Sequence, residues 1–197
     1  MARTQPKLIL ASGSPRRSQL LQELGLLCQV IPPHIPEIFQ EGETPENFVT
    51  RLAVEKALSV AKSVPSETFP LYFLGADTIV LLDQQILGKP DDPHEAVLFL
   101  KQLSGKTHDV LTGFAIVAWP DKIVVKDYCR SKVTMKNLTS DEIENYVQTG
   151  ESLDKAGAYA AQGIGKKFIE RIDGSDNNVI GLPVEVLVPW LEKLDLL

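Results

Sequence analysis

Cysteine is almost missing from this sequence. Cys28 and Cys129 are the only two in 197 residues, with no CxxC pair and no histidine at ligand spacing. That excludes a structural zinc site and a disulfide framework, and both residues read as reduced core positions of a cytosolic protein. Histidine is equally sparse: His34, His94 and His108 are scattered and read as surface or ordinary residues. No apolar run approaches the roughly 20 residues of a membrane span. The opening segment MARTQPKLILASGSPRR has only a short apolar run that leads into Ser, Pro and Arg, unlike a secretory signal. The expected location is therefore the cytoplasm, with no membrane partner. Basic excess is also lacking: 20 Lys and Arg stand against 26 Asp and Glu, for a net charge of −6. Generic nucleic-acid or membrane-surface binding needs the opposite balance. There is no GxxxxGK[ST] phosphate loop, no GxGxxG following a strand, and no GxSxG nucleophile elbow.

What is present is ordinary globular material, with 44% apolar and 23% charged residues. A chain of this length can bury about 70% of its unfolded surface. Repeats, low-complexity tracts and long linkers are absent, so residues 1–197 are expected to form one domain, or two small lobes sharing a core. Lys7 to Ser12 reads as a buried strand, followed by a helix opened by Ser14-Pro15 and closed by Gly25. Leu26 to Ile31 reads as a second strand, and Pro32 to Gly42, with three prolines, as a loop. Thr44-Pro45-Glu46 opens a helix to about Ser63. Leu71 to Leu82 is one strand, or two interrupted at Ala76-Asp77-Thr78. A turn at Asp83-Gln84-Gln85, a helix from Pro93 to Leu103, and a long hairpin around Pro120-Asp121 follow. Thr139 and Glu142 have capping-box spacing for a helix to about Thr149. Lys167 to Ile172 is strand-like, and Pro183 to Leu194 is a terminal helix. Helices and strands alternate before a hairpin intervenes, which predicts an α/β fold with a mixed sheet.

Three positions stand out chemically. Ser12-Gly13-Ser14-Pro15-Arg16-Arg17 leads from a strand into a helix N-terminus, where unpaired N–H groups and the helix dipole favour an anion. Arg16 and Arg17 oppose that dipole by a few tenths of a kcal/mol each. Either a phosphate group compensates, with Ser14 beside it, or the two arginines are simply solvated. Lys56 lies on the apolar stripe of its helix with Val49, Leu52, Ala53, Ala57 and Val60. Its ammonium either snorkels to water or is aimed at a cleft. Asp77 interrupts an apolar run, where a lone carboxylate is unfavourable unless it is paired, bound to metal or at a strand end. It reads as a turn residue or as a catalytic acid at the carboxyl edge of a strand. Lys89, just before a helix, offers a phosphate contact, and Glu37 adds a carboxylate in the proline-rich loop.

Together these segments resemble the Maf-like nucleoside triphosphate pyrophosphatases. The likeness runs through Leu10 to Arg17 (LASGSPRR), Arg51 to Ala57 (RLAVEKA), Gly75 to Thr78 (GADT) and Gly88 to Pro90 (GKP). It continues through Leu103 to Gly105 (LSG), Asp154 to Gly163 (DKAGAYAAQG) and Val179 to Pro183 (VIGLP). Seven segments in the family's order cover essentially the whole chain. Arg16, Thr78 and Gln162 match the subgroup acting on dTTP and UTP. The sister subgroup, associated with 7-methyl-GTP, tends to carry Trp and Gln at the first two of these positions. Asp176 stands where relatives often have an aromatic residue, which puts local base or sugar contacts in doubt.

The resemblance implies hydrolysis between the α- and β-phosphates, giving a monophosphate and pyrophosphate. It implies Asp77 as proton acceptor, Glu37 and Asp77 as ligands to Mg²⁺ or Mn²⁺, and Arg17, Lys56 and Lys89 as catalytic cations. Ser14, Arg16 and Arg17 are implied to bind phosphate, and Arg16, Thr78 and Gln162 to read the pyrimidine. The family fold is a curved mixed sheet flanked by helices, in two lobes about a cleft, and homodimers are common. The alternatives are the same reaction on another base, such as 7-methyl-GTP, or a nucleotide-binding regulator of cell division without turnover.

Overall fold

The computed structural model describes residues 7–65 and 71–197. The first six residues, part of the segment read above as lacking a secretory signal, lie outside the described residues. The elements in chain order are β1 Lys7–Ala11, α1 Pro15–Glu23, β2 Gln29–Val30, α2 Pro45–Ser63, β3 Leu71–Leu82 and β4 Gln85–Leu87. Then come α3 Pro93–Leu103, β5 Thr107–Ala118, β6 Lys122–Met135, α4 Ser140–Gln148, β7 Ile169–Asp173, α5 Asp176–Ile180 and α6 Val184–Lys193. Short 3₁₀ turns cover Ala156–Ala158 and Gly165–Phe168.

The seven strands form one mixed sheet in the order β2-β1-β3-β5-β6-β7, with β4 paired to β3. β1 is parallel to both neighbours, in register Ile9 with Gln29 and Ala11 with Gly75. β4 and β7 run antiparallel to β3 and β6. The mixed α/β architecture read from the sequence is therefore present. No helix among the described residues is long and apolar enough to cross a membrane.

Local chemistry explains most boundaries. Thr44, Asp92 and Thr139 each accept a backbone hydrogen bond from the third residue of the helix they cap. Thr139 and Glu142 form the reciprocal capping box. Asp83 and Gln84 both have positive φ (47° and 70°), the two-residue turn that joins twisted strands such as β3 and β4.

Two elements differ from the sequence reading, and one open choice is decided. The second strand shrinks from Leu26–Ile31 to Gln29–Val30, because it pairs at an edge with β1 alone, and Leu27 is fully solvated. Of the two readings of Leu71 to Leu82, the structure has the single strand, continuous through Asp77. The short helix α5 had no periodic signal to announce it.

The chain forms two compact units. One comprises residues 1–77, 112–129 and 181–197; the other comprises 78–111 and 130–180. Each has its own apolar core. In the first unit Ile9, Ala11, Ala57, Val60, Ala61, Leu71, Phe73 and Val117 pack together. In the second, α3, α4 and the sheet bury Leu87, Leu100, Leu103, Val133, Ile143, Tyr146 and Phe168. Strands β3, β5 and β6 run through both units.

Two glycines in the first unit set how α2 lies on the sheet. A Cβ at Gly75 would overlap the Ala53 carbonyl oxygen and crowd the Ala57 amide nitrogen at 2.9 Å. A Cβ at Gly113 would overlap the Val49 carbonyl oxygen and crowd the Thr50 nitrogen at 2.7 Å. The helix backbone thus rests directly on β3 and β5, with no side chain between.

Candidate active site

The strand order 2-1-3 sends the connection after β1 to one side of that strand and the connection after β2 back to the other. In open α/β sheets this reversal marks where ligands bind, beyond the carboxyl ends of the strands. The register places Ala11 beside Gly75, so Ser12 and Asp77 both lie just past the last β1–β3 pair. Asp77 is interior to β3, yet it stands where its parallel neighbour has already ended. That corrects the expectation of a carboxylate at a strand terminus and keeps its consequence: one side of β3 is released from the ladder at this carboxylate.

α1 begins at the same level. Ser14 is its N-cap in extended conformation, Pro15 is its first residue, and the Ser14 side chain makes no capping bond. Instead the Ser14 N–H donates to Ser12 Oγ at 3.2 Å. Arg17, in the first turn, is buried and turned back toward the sheet. Its Nε donates to the Gly181 carbonyl at 2.8 Å, and Nη1 donates to Ser12 Oγ at 3.0 Å and to the Ala76 carbonyl at 2.9 Å. Burial pulls the guanidinium below its ordinary pKa, with Asp77 and Glu37 opposing, and a guanidinium remains protonated in proteins. Arg16 and Ser14 are half-buried.

Lys56 comes from α2. The backbone contact at Gly75 brings the helix close enough for its ammonium to reach β3. Nζ lies 2.6 Å from Asp77 Oδ1 and 2.6 Å from Glu37 Oε1. Lys56 and Asp77 are only 6% and 5% exposed, whereas Glu37 is solvent-accessible. The helical stripe placed Lys56 on the core side, and the structure decides between the two readings: the amine points inward to two carboxylates and does not snorkel. Burial raises the Asp77 pKa, and Lys56 pulls against it, while Glu37 adds to the rise and Arg17 opposes it. A carboxylate displaced upward in this way is a better proton acceptor near neutral pH than an ordinary aspartate.

Four of the residues singled out from the sequence, Arg17, Glu37, Lys56 and Asp77, therefore converge within the first unit. Ser14 and Arg16 belong to the same unit, and three others fold with the second: Thr78 is half-buried in β3 directly after Asp77, Lys89 is exposed before α3, and Gln162 is half-buried after the Ala156–Ala158 turn. Sequence reasoning missed the groups that fix Arg17. Ser12 was visible in the motif, but the carbonyls of Ala76 and Gly181 lie 59 and 164 residues away, and no local signal marks them. It also missed His108, which is buried against Tyr159 with Nε2 and Oη 2.7 Å apart.

The family model described as Maf-like protein matches residues 7–194. The chain belongs to this family. Its Maf-like relatives include a protein of Thermoanaerobacter sp. (strain X514), 45% identical over 187 residues, covering 95% of this chain and 96% of the relative. One from Clostridioides difficile (strain 630) is 45% identical over 186 residues and 94% of both chains. One from Geobacter sp. (strain M21) is 46% identical over 187 residues, 95% of each chain. All three carry the name dTTP/UTP pyrophosphatase.

Among the described residues no group of three or more His, Cys, Asp or Glu side chains gathers as a metal site. The donor set is the pair Asp77 and Glu37, hard oxygens that already share one cation, the Lys56 ammonium. A pair of carboxylates completed by phosphate oxygens and water is the usual environment of Mg²⁺. The residues present fit such an ion.

Proposed function

We propose that this protein hydrolyses dTTP and UTP to the nucleoside monophosphate and pyrophosphate. The observation that carries this reading is the meeting of Arg17, Glu37, Lys56 and Asp77 just past the β1–β3 ladder, in a chain whose Maf-like relatives are named for that activity. Cleavage of a phosphoanhydride asks chiefly for positioning and for neutralisation of charge on the phosphates. Arg17 is held by two backbone carbonyls and a serine hydroxyl, so its charge is fixed before substrate arrives. The first turn of α1, with Ser14 and Arg16, offers donors to the same anion.

Lys56 is shared between two carboxylates, and its ammonium can turn to a phosphate oxygen as the anion enters. Asp77, relieved of that partner, accepts the proton of the attacking water. A divalent ion held by Asp77 and Glu37, Mg²⁺ or Mn²⁺, supplies charge neutralisation on the triphosphate. Lys89 adds a further phosphate contact, and Arg16, Thr78 and Gln162 distinguish pyrimidine from purine. These assignments rest on the resemblance of their motifs. So do a cytoplasmic location, a homodimer, and the treatment of residues 1–197 as one functional domain.

The test is a panel of nucleoside triphosphates at equal concentration with Mg²⁺, with both products identified. Pyrophosphate and monophosphate released from dTTP and UTP, and little from purines, is the expected result. Preference for 7-methyl-GTP or another purine would overturn the substrate assignment. Binding without turnover of any nucleotide would overturn the enzymatic reading in favour of a regulator.

A further inference from the structure

Glu37 sits on a stretch, Pro32 to Gly42, that has no regular secondary structure and three prolines. Its own side chain touches Lys56, and in the reaction described above that ammonium leaves for a phosphate. The backbone beside that carboxylate is anchored separately. Arg51, one and a half turns before Lys56 on α2, is built for this. Its Nε and Nη2 donate to Glu43 Oε1 and Oε2 at 2.7 and 2.8 Å, a two-pronged pair. Nη1 donates to both oxygens of Glu55 at 3.1 and 3.2 Å. The remaining Nη2 proton goes to the carbonyl of Ile38 at 3.0 Å, the residue next to Glu37. Every guanidinium nitrogen is thereby engaged.

The same segment is tied down twice more. Phe39 packs edge-on against Phe48 of α2 with ring centres 5.1 Å apart, and the Arg51 guanidinium lies over that Phe48 ring at 5.5 Å. Glu43 folds back on the loop, its Oε2 accepting from the Gln40 N–H at 3.2 Å. Helix α2 thus grips the loop from Ile38 to Glu43 through Arg51 while presenting Lys56 to Glu37.

We propose that Arg51 is a positioning residue for the hydrolysis: it fixes the Ile38 carbonyl and so holds Glu37 over the site after Lys56 has turned to the phosphates. This rests on the pyrophosphatase reading. A lysine at position 51 cannot make five bonds in one plane and should serve only in part.

The experiment is a double-mutant cycle between Arg51→Gln and Glu37→Gln on the full chain, with Arg51→Lys alongside and thermal melts of each variant. R51Q is expected to lower kcat for dTTP by about 10- to 100-fold, as outer partners of functional groups commonly do, with KM changed far less. R51K should recover part of that loss. In the E37Q background R51Q should add less than about twofold, because coupled residues lose independence. If R51Q does not fold, the cycle is run with R51K and with E43Q, which loosens the same grip from the other side. Full additivity with E37Q, or a fall in melting temperature at unchanged kcat, overturns the positioning role alone. An E37Q enzyme with unchanged turnover overturns both this role and the site reading beneath it.

Discussion

Lys56 and Asp77 in the first unit and His108 and Tyr159 in the second are buried to nearly the same degree, all at 6% exposure or less. Both pairs are short, at 2.6 and 2.7 Å. They answer burial differently. In the second unit burial holds the imidazole neutral, pushing the His108 pKa down to about 4 and the Tyr159 phenol upward. A neutral hydrogen-bonded pair is an ordinary way to satisfy polar atoms in a core. In the first unit groups of opposite charge type, the Lys56 amine and the Asp77 carboxyl, meet instead, with Glu37 and Arg17 joining them from distant parts of the chain. Removing several charges from water is unfavourable, and an apolar replacement would often be at least as stable. A fold that keeps them together beside a solvent-accessible loop is arranged for chemistry rather than for stability. The lesson concerns which buried polar groups to read as functional: those of opposite charge type that converge from far apart.

The sharpest way to break this contrast is Asp77→Asn. It preserves shape and the Lys56 contact but cannot accept a proton, so kcat should fall by about 10²- to 10⁴-fold with circular dichroism unchanged. Turnover within twofold of the unmodified protein would remove Asp77 from the mechanism.

Lys56→Gln comes next. It deletes the cation that holds the Asp77 pKa down, so that pKa rises further. Because the base works deprotonated, the acid limb of the kcat/KM profile should move to higher pH, along with a fall in kcat of about tenfold or more. An acid limb that stays in place would show that Asp77 is not the group titrating.

The smallest effect on activity belongs to His108→Gln, which should leave kcat within about twofold while altering stability alone. The folded pKa lies below the ordinary 6.5 because burial opposes the charged ring. Between pH 6.5 and about 4 the unfolded chain binds a proton that the folded chain refuses. Stability is therefore full above that window and falls through it, by roughly 3 kcal/mol in total. The variant should flatten this part of the dependence of melting temperature on pH. An unchanged slope would mean that His108 is not the sealed group it appears as beside Tyr159.

What could be read beforehand follows the range of the forces involved. The capping box of α4 was visible because Thr139 and Glu142 act within four residues. Lys56 was visible because its helical stripe is periodic, and that placed the amine on the correct face. Its two partners were not settled by periodicity, since Asp77 reaches it across 21 residues and Glu37 from a loop with no pattern of its own. Glu37 and Lys89 were visible only as a loop carboxylate and a cation before a helix, and Thr78 and Gln162 entered through the motifs of the family. The length of β2 was overread because an apolar run says nothing of how many residues its neighbour leaves to pair with. For Arg17 the first turn left phosphate binding and simple solvation both open, because the carbonyls of Ala76 and Gly181 that hold it are distant in sequence.

The contact of α2 with Gly75 has a mechanical consequence. Layers separated by side chains can yield, because rotamers change and the gap adjusts. Here main chain meets main chain, and there is nothing compliant in between. Helix and strand must then move as one piece, carrying the ammonium of Lys56 and the carboxylate of Asp77 at a fixed spacing. Adaptation to a substrate of different size then falls to groups outside this helix–strand pair. A variant library aimed at new nucleotides has its freedom outside that pair and almost none at the glycine.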